Sequence, residues 1–82
     1  TSVEVGGRLA RYLLDLPAQH APDGAVSVRL PLAKKDIASL LDTTPESLSR
    51  QLRRLQDAGV VDQRGSREVR LLDLDQLLAL AD

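Results

Sequence analysis

KDIASLLDTTPESLSRQLRRLQDA, residues 35–58, holds two short apolar-periodic segments on either side of a turn at Asp42-Thr43-Thr44. The first segment places Ile37, Leu40 and Leu41 at i, i+3 and i+4, one face of a helix. The second places Leu48, Leu52 and Leu55 at i, i+4 and i+7, again one face. With successive side chains about 100° apart, Glu46, Ser49, Arg50 and Arg53 fall on roughly the opposite side. The second helix therefore joins an apolar leucine stripe to a polar face of donors and one acceptor. Two short helices joined by a three-residue turn are the signature of a helix-turn-helix. The second helix of such a pair can enter the major groove of DNA.

The ends of these helices are also written locally. Thr44 is placed as N-cap, Pro45 at the first helical position and Glu46 in the first turn. Gly59 closes the second helix, about 45–58, as the residue just past its end. The first helix, about 34–41, lacks a side-chain cap, because Leu32 and Ala33 precede it. Asp42 stands where the turn calls for φ > 0; Gly adopts that region most easily and Asp tolerates it.

Upstream, Val5, Leu9, Tyr12, Leu13 and Leu16 predict a helix over 3–16, with Ser2 as N-cap and Glu4 in its first turn. Gly6-Gly7 weakens its start, by about 1 kcal/mol per Gly against Ala, and marks a bend where a longer upstream helix enters. Pro17 ends the helix. Residues 17–25 are predicted as a loop with a turn at Pro22-Asp23-Gly24, in which His20 is a solvated side chain. Val26–Leu30 alternates with period two and reads as a strand ended by Pro31.

Downstream, residues 60–63 and 68–72 are strand candidates around Arg64-Gly65-Ser66-Arg67, a hairpin tip. Two arginines at the tip of a hairpin beside such a helix suit contact with phosphate. Asp73 and Gln76 have the D-x-x-Q spacing of a capping box, and Leu74, Leu77, Leu78 and Ala81 give the final helix its apolar face. With Val26–Leu30 joining the hairpin, residues 1–82 are expected to form one winged helix-turn-helix: mainly α, with a small antiparallel β wing. Leu9, Leu13, Leu16, Ile37, Leu40, Leu48, Leu52, Leu55, Val61 and Val69 are the expected core.

Composition narrows the function. Eighty-two residues suffice for one small domain. Tyr12 is the only aromatic residue and Phe, Trp, Met and Cys are absent, so the core must be aliphatic. Lack of Cys removes thiolate metal sites and fits a cytoplasmic protein. No apolar run approaches the ~18 residues of a membrane span, and no signal peptide is visible. The chain begins at Thr1 without Met and reads as a domain of something longer. His20 has no partner at metal-ligand spacing. With no nucleophile–base pair and no Gly-rich phosphate loop, an enzyme is not expected, nor is a cofactor in this segment. The net charge is −1, but it is unevenly spread. Residues 29–70 hold nine basic and six acidic side chains, whereas the remainder holds two basic and six acidic. One part of the domain can attract phosphate while the rest repels it.

The sequence resembles the DNA-binding domain of Crp/Fnr-superfamily transcription regulators. The resemblance is carried by GRLARYLLDL (7–16), LAKKDIASLL (32–41), TPESLSRQLRRL (44–55) and GVVDQRGSREVRLLD (59–73), nearly the whole chain. ESLSR (46–50) fits the E-x-x-S-R pattern of the Fnr and Dnr-type branches, and REVRLLD with the leucine-rich end is similar to the Dnr branch. The resemblance implies that Glu46, Ser49 and Arg50 read bases. Arg can donate two bonds to guanine O6 and N7, and Glu can accept from cytosine N4. Lys34, Thr44, Arg53, Arg64 and Arg67 become the expected phosphate contacts. Pro45 stands where Crp itself carries another base-reading Arg, which favours a TTGAT-like half-site over the Crp type. Asp42 replaces the turn Gly common in the family, and the wing is one residue longer than in some members. The implied partners are double-stranded DNA, read as a palindrome by a homodimeric parent protein, and RNA polymerase, with no membrane. A sensory β-roll and a long dimerisation helix would lie outside this segment. The rival reading is a winged helix that docks an acidic protein through its arginine face. An acid beside the arginines suits base reading and has no use in such docking.

Overall fold

Thr44 adopts an extended conformation and its Oγ1 accepts from the Ser47 N–H at 3.1 Å, so the helix that follows starts where the sequence places it. The computed structural model describes residues 2–82, with side chains from Val5 onward. Its elements are α1 (Ser2–Asp15), β1 (Ala18–His20), β2 (Val26–Arg29), α2 (Lys34–Leu40), α3 (Pro45–Asp57), β3 (Val61–Arg64), β4 (Glu68–Leu71) and α4 (Leu74–Ala81). The strands form one antiparallel sheet in the order β1-β2-β4-β3. This is the winged helix-turn-helix expected from the sequence, with β3 and β4 as the wing.

The core is aliphatic and contains no buried polar side chain among the described residues. Leu9 and Leu13 of α1, Ile37 of α2, Leu48, Leu52 and Leu55 of α3, and Val61 and Val69 of the wing all join it, as expected. Ala10, Val28, Leu30, Ala38, Leu41, Val60, Leu71 and Leu77 complete it. Two expected members differ. Leu16 is only partly buried against the cluster, and Leu40 is 63 % exposed. Ile37, Ala38 and Leu40 of α2, with Leu41 at its C-cap, permit two stripes, and burial selects Ile37, Ala38 and Leu41. With Ala38 fully buried, Leu40, two residues further and about 200° round the helix, faces outward.

Other elements also depart from expectation. The predicted loop contains β1, whose residues pair with β2 in the register Ala18↔Val28, Gln19↔Ser27 and His20↔Val26. All three β1 side chains are exposed, so no apolar alternation announces the strand; backbone pairing alone holds it. The Ala21–Ala25 turn closes with Ala21 N–H donating to Ala25 O and Ala25 N–H to Asp23 Oδ1, both at 2.9 Å. In α4 only Leu77 is fully buried; Leu74 and Leu78 are 41 % and 48 % exposed, because the short helix turns one narrow stripe inward. Asp73 caps α4 by accepting from Gln76 N–H at 3.0 Å. The return arm of the capping box is not made, since Asp73 N–H is already bonded to Val60 O at 3.1 Å.

Helix α1 runs through Gly6-Gly7 without a break. Gly7 is there for proximity: a Cβ at this position would lie 2.9 Å from Leu80 O of α4. The expected cap at Ser2 and first-turn charge at Glu4 concern side chains outside those described.

Leu52, 5 % exposed, sits in the middle of the α3 stripe. Leu52→Ala is expected to lower the unfolding free energy by about 2–5 kcal/mol in urea titrations. A loss below about 1 kcal/mol would show that the stripe is not the core seam.

Candidate nucleic-acid interface

The two helices of the pair end in the same way. At the end of α2, Asp42 N–H bonds to Ser39 O at 3.1 Å and Thr43 N–H to Ala38 O at 2.9 Å. At the end of α3, Gly59 N–H bonds to Gln56 O at 3.0 Å and Val60 N–H to Leu55 O at 2.9 Å. Both are Schellman closures, and each needs a left-handed residue at its pivot. Gly59 supplies it with φ 76°, and Asp42, as expected from the sequence, supplies it with φ 57°. The left-handed turn at Asp42 sends the chain into Thr43 and Thr44 and so directs the start of α3.

With Leu48, Leu52 and Leu55 buried, α3 leaves Glu46, Ser49, Arg50 and Arg53 exposed on its other side. Arg50 does not pair with Glu46 four residues earlier. It donates from Nη2 to Ser47 Oγ at 3.2 Å instead, and its other donors face solvent. Arg53 pairs with Asp57 at 3.2 Å, an exposed contact along the helix. Lys34, at the start of α2, joins Ser49, Arg53, Gln56 and Gln63 in lining one polar cleft between α2, α3 and β3. The structure thus brings Lys34, Ser49 and Arg53 together.

The two glutamines were not singled out in the sequence. Gln56 Oε1 accepts from the Gln63 N–H at 3.4 Å, and Gln63 Nε2 donates to Gly65 O at 3.3 Å. They tie the far end of α3 to the wing strand. Nothing in their local pattern marks them, because the link crosses two elements.

On the wing, Arg64 belongs to β3 and pairs with Asp62 at 2.7 Å. The tip is Gly65-Ser66-Arg67. Arg67 is half-buried and turned onto the end of β2: its Nη1 donates to Leu30 O at 3.4 Å, and its own carbonyl accepts from Leu30 N–H at 2.6 Å. Arg67 is therefore part of the joint between β2 and β4 as well as a wing cation. Arg29 and Arg64 both lie opposite Glu68, in register on either side of β4. Among the described residues no three His, Cys, Asp or Glu side chains converge to hold a metal ion, and no helix is long and apolar enough to cross a membrane.

This arrangement of helix pair, capped second helix and wing has close relatives. The family described as the Crp-like helix-turn-helix domain matches residues 7–80, and the chain belongs to it. Over 70 residues it is 37 % identical to a probable transcriptional regulator, flp, of Lacticaseibacillus casei, covering 85 % of this chain and 30 % of that protein. It is also 37 % identical over 76 residues to the transcriptional activator protein FnrA of Stutzerimonas stutzeri, covering 90 % of this chain and 31 % of that protein. The solved structure of DNR from Pseudomonas aeruginosa superposes with a TM-score of 0.78 at 35 % identity, over 96 % of this chain and 34 % of that one. The chain is a DNA-binding domain of the Crp/Fnr type. It spans about a third of the length of these relatives.

Asp42 at φ 57° carries a Cβ in a region where glycine has none to strain. Asp42→Gly is expected to stabilise the domain by about 1 kcal/mol, read as a raised thermal midpoint. A lowered midpoint would show that the carboxylate itself holds the turn.

Proposed function

We propose that the domain binds double-stranded DNA by laying the first turns of α3 in the major groove. Glu46, Ser49 and Arg50 meet base edges there. The observation that supports this most directly is the exposed, loosely engaged guanidinium of Arg50, one turn beyond Glu46 near the capped start of α3. Early turns are the part of a recognition helix that reaches bases. The Arg50 fork matches guanine O6 and N7, Glu46 accepts from cytosine N4, and Ser49 takes a base edge or the thymine methyl. Pro45 stands where Crp carries a base-reading Arg, and through that resemblance a TTGAT-like half-site is favoured.

Lys34, Thr44, Arg53, Arg64 and Arg67 grip phosphates in this reading. Arg53 and Arg64 exchange the exposed carboxylates of Asp57 and Asp62 for phosphate oxygens; exposed pairs of this kind contribute only about 0–1 kcal/mol, so the exchange is inexpensive. In the whole regulator two such domains sit on a palindrome as a homodimer, and RNA polymerase is a further partner. No cofactor is assigned to this segment, and the cytoplasm is its place of action.

Selection of bound sequences from a random DNA pool by a tethered dimer of the domain tests the reading. Enriched palindromic half-sites are expected. A pool without enrichment would replace DNA readout by docking on an acidic protein.

With the selected half-site in hand, Arg50→Ala is expected to weaken specific binding by about 1–3 kcal/mol and to relax preference at one G·C pair. Binding to unrelated duplexes should change much less. A uniform loss across all substituted half-sites would assign Arg50 to phosphate. Alanine at Lys34, Arg53, Arg64 or Arg67 should instead weaken binding to every sequence and lower the salt slope by about 0.9 per lost contact. Unchanged slopes in all four variants would overturn the assumed docking orientation.

A further inference from the structure

Arg8 of α1 donates from Nε to Leu41 O at 2.8 Å, across 33 positions of sequence. Leu41 is the C-cap of α2, and its carbonyl is among those a helix end leaves without an internal partner. The N–H groups of Leu41, Asp42 and Thr43 are all turned back into α2. Helix α2 has no basic residue in its last turn. A cation favours the negative end of a helix, and here it comes from a different helix. Beside it, Gly7 lets α1 approach Leu80 O near the end of α4. Gly7, Arg8, Leu41 and Leu80 line one crevice, where α1 meets the carbonyl ends of α2 and α4 together.

We propose that Arg8 is the positioning residue of the helix-turn-helix. Its bond to Leu41 O sets the Asp42–Thr44 turn, and with it the start of α3, relative to α1. The consequence for binding rests on the DNA reading above; the bond itself does not. A rotation or shift of α1 would pull on the turn through this contact. The reading face would then be re-aimed without any change in the residues that touch DNA.

Two substitutions separate this role from others. Gln carries Nε2 as many bonds from Cα as Arg carries Nε, so Arg8→Gln keeps a donor and removes the charge. Arg8→Met keeps the stem length and removes the donor. Amide hydrogen exchange is measured on the DNA-free chain at Thr43, with Leu13 as the reporter of global opening. Binding is measured at fixed salt on the selected half-site duplex and on a scrambled duplex.

In Arg8→Met, Thr43 N–H is expected to exchange about tenfold faster while Leu13 keeps its protection. The ratio of half-site to scrambled affinity should fall about fivefold, with the salt slope unchanged. Arg8→Gln should restore most of both. Wild-type exchange and selectivity in Arg8→Met would overturn the proposal. Parallel loss of protection at Thr43 and Leu13, or failure to fold, would also overturn it by making Arg8 a general stabiliser. A loss shared by both variants with a salt slope lower by about 0.9 would make it a phosphate contact. If the unsubstituted chain does not distinguish the two duplexes, the DNA reading fails, and the exchange data still decide the Arg8–Leu41 bond.

Discussion

Burial of Leu48, Leu52 and Leu55 is the constraint from which the remaining geometry follows. Helix α3 packs on α1, α2 and β3 at once, so three neighbours fix its rotation. A turn of about 100° about its axis would move the stripe by one residue. It would carry Ser49 into a core that holds no buried polar side chain among the described residues, and a buried hydroxyl without a partner costs about 1–3 kcal/mol or more. The same burial that stabilises α3 therefore decides which of its side chains face outward. Arg50 faces outward because Leu48 and Leu52 face inward.

Backbone closures then place the other elements around α3. Val60 connects three of them: its N–H closes the end of α3 on Leu55 O, and its carbonyl accepts from Leu72 and Asp73 N–H at 2.9 and 3.1 Å. The end of α3, the entry to β3 and the start of α4 thus meet at one buried residue. The wing is held at a fixed offset from α3 without any side-chain cross-link of large energy. Gln56 and Gln63 add only an exposed, long contact to this frame.

Ion pairs play little part in holding the fold. Arg11–Asp15, Arg53–Asp57 and Arg64–Asp62 are all substantially exposed, and such pairs add about 0–1 kcal/mol each. Arg8 and Arg67 differ from these. Each donates to a backbone carbonyl at the end of another element, where the acceptor has no competing partner in its own segment.

The sequence by itself determined the helix pair, the capped start of α3, the left-handed turn at Asp42, the wing strands and the exposed face of Glu46, Ser49, Arg50 and Arg53. These are local: a cap, a turn residue or an apolar period is complete within a few neighbours, so the residues that create it are adjacent in the chain. Tertiary structure alone decided that α2 buries Ala38 and not Leu40, that Ala18–His20 becomes a strand, and that α4 keeps Leu74 and Leu78 outside. It also turned Gly7 from a weak helix position into a close-approach point, and set Arg8 on Leu41 and Arg67 on Leu30. In each case the deciding partner is distant in sequence: a neighbouring helix, the edge of β2, or a carbonyl freed by another helix's end. Local pattern carries no record of such partners, so only the packed chain reveals them.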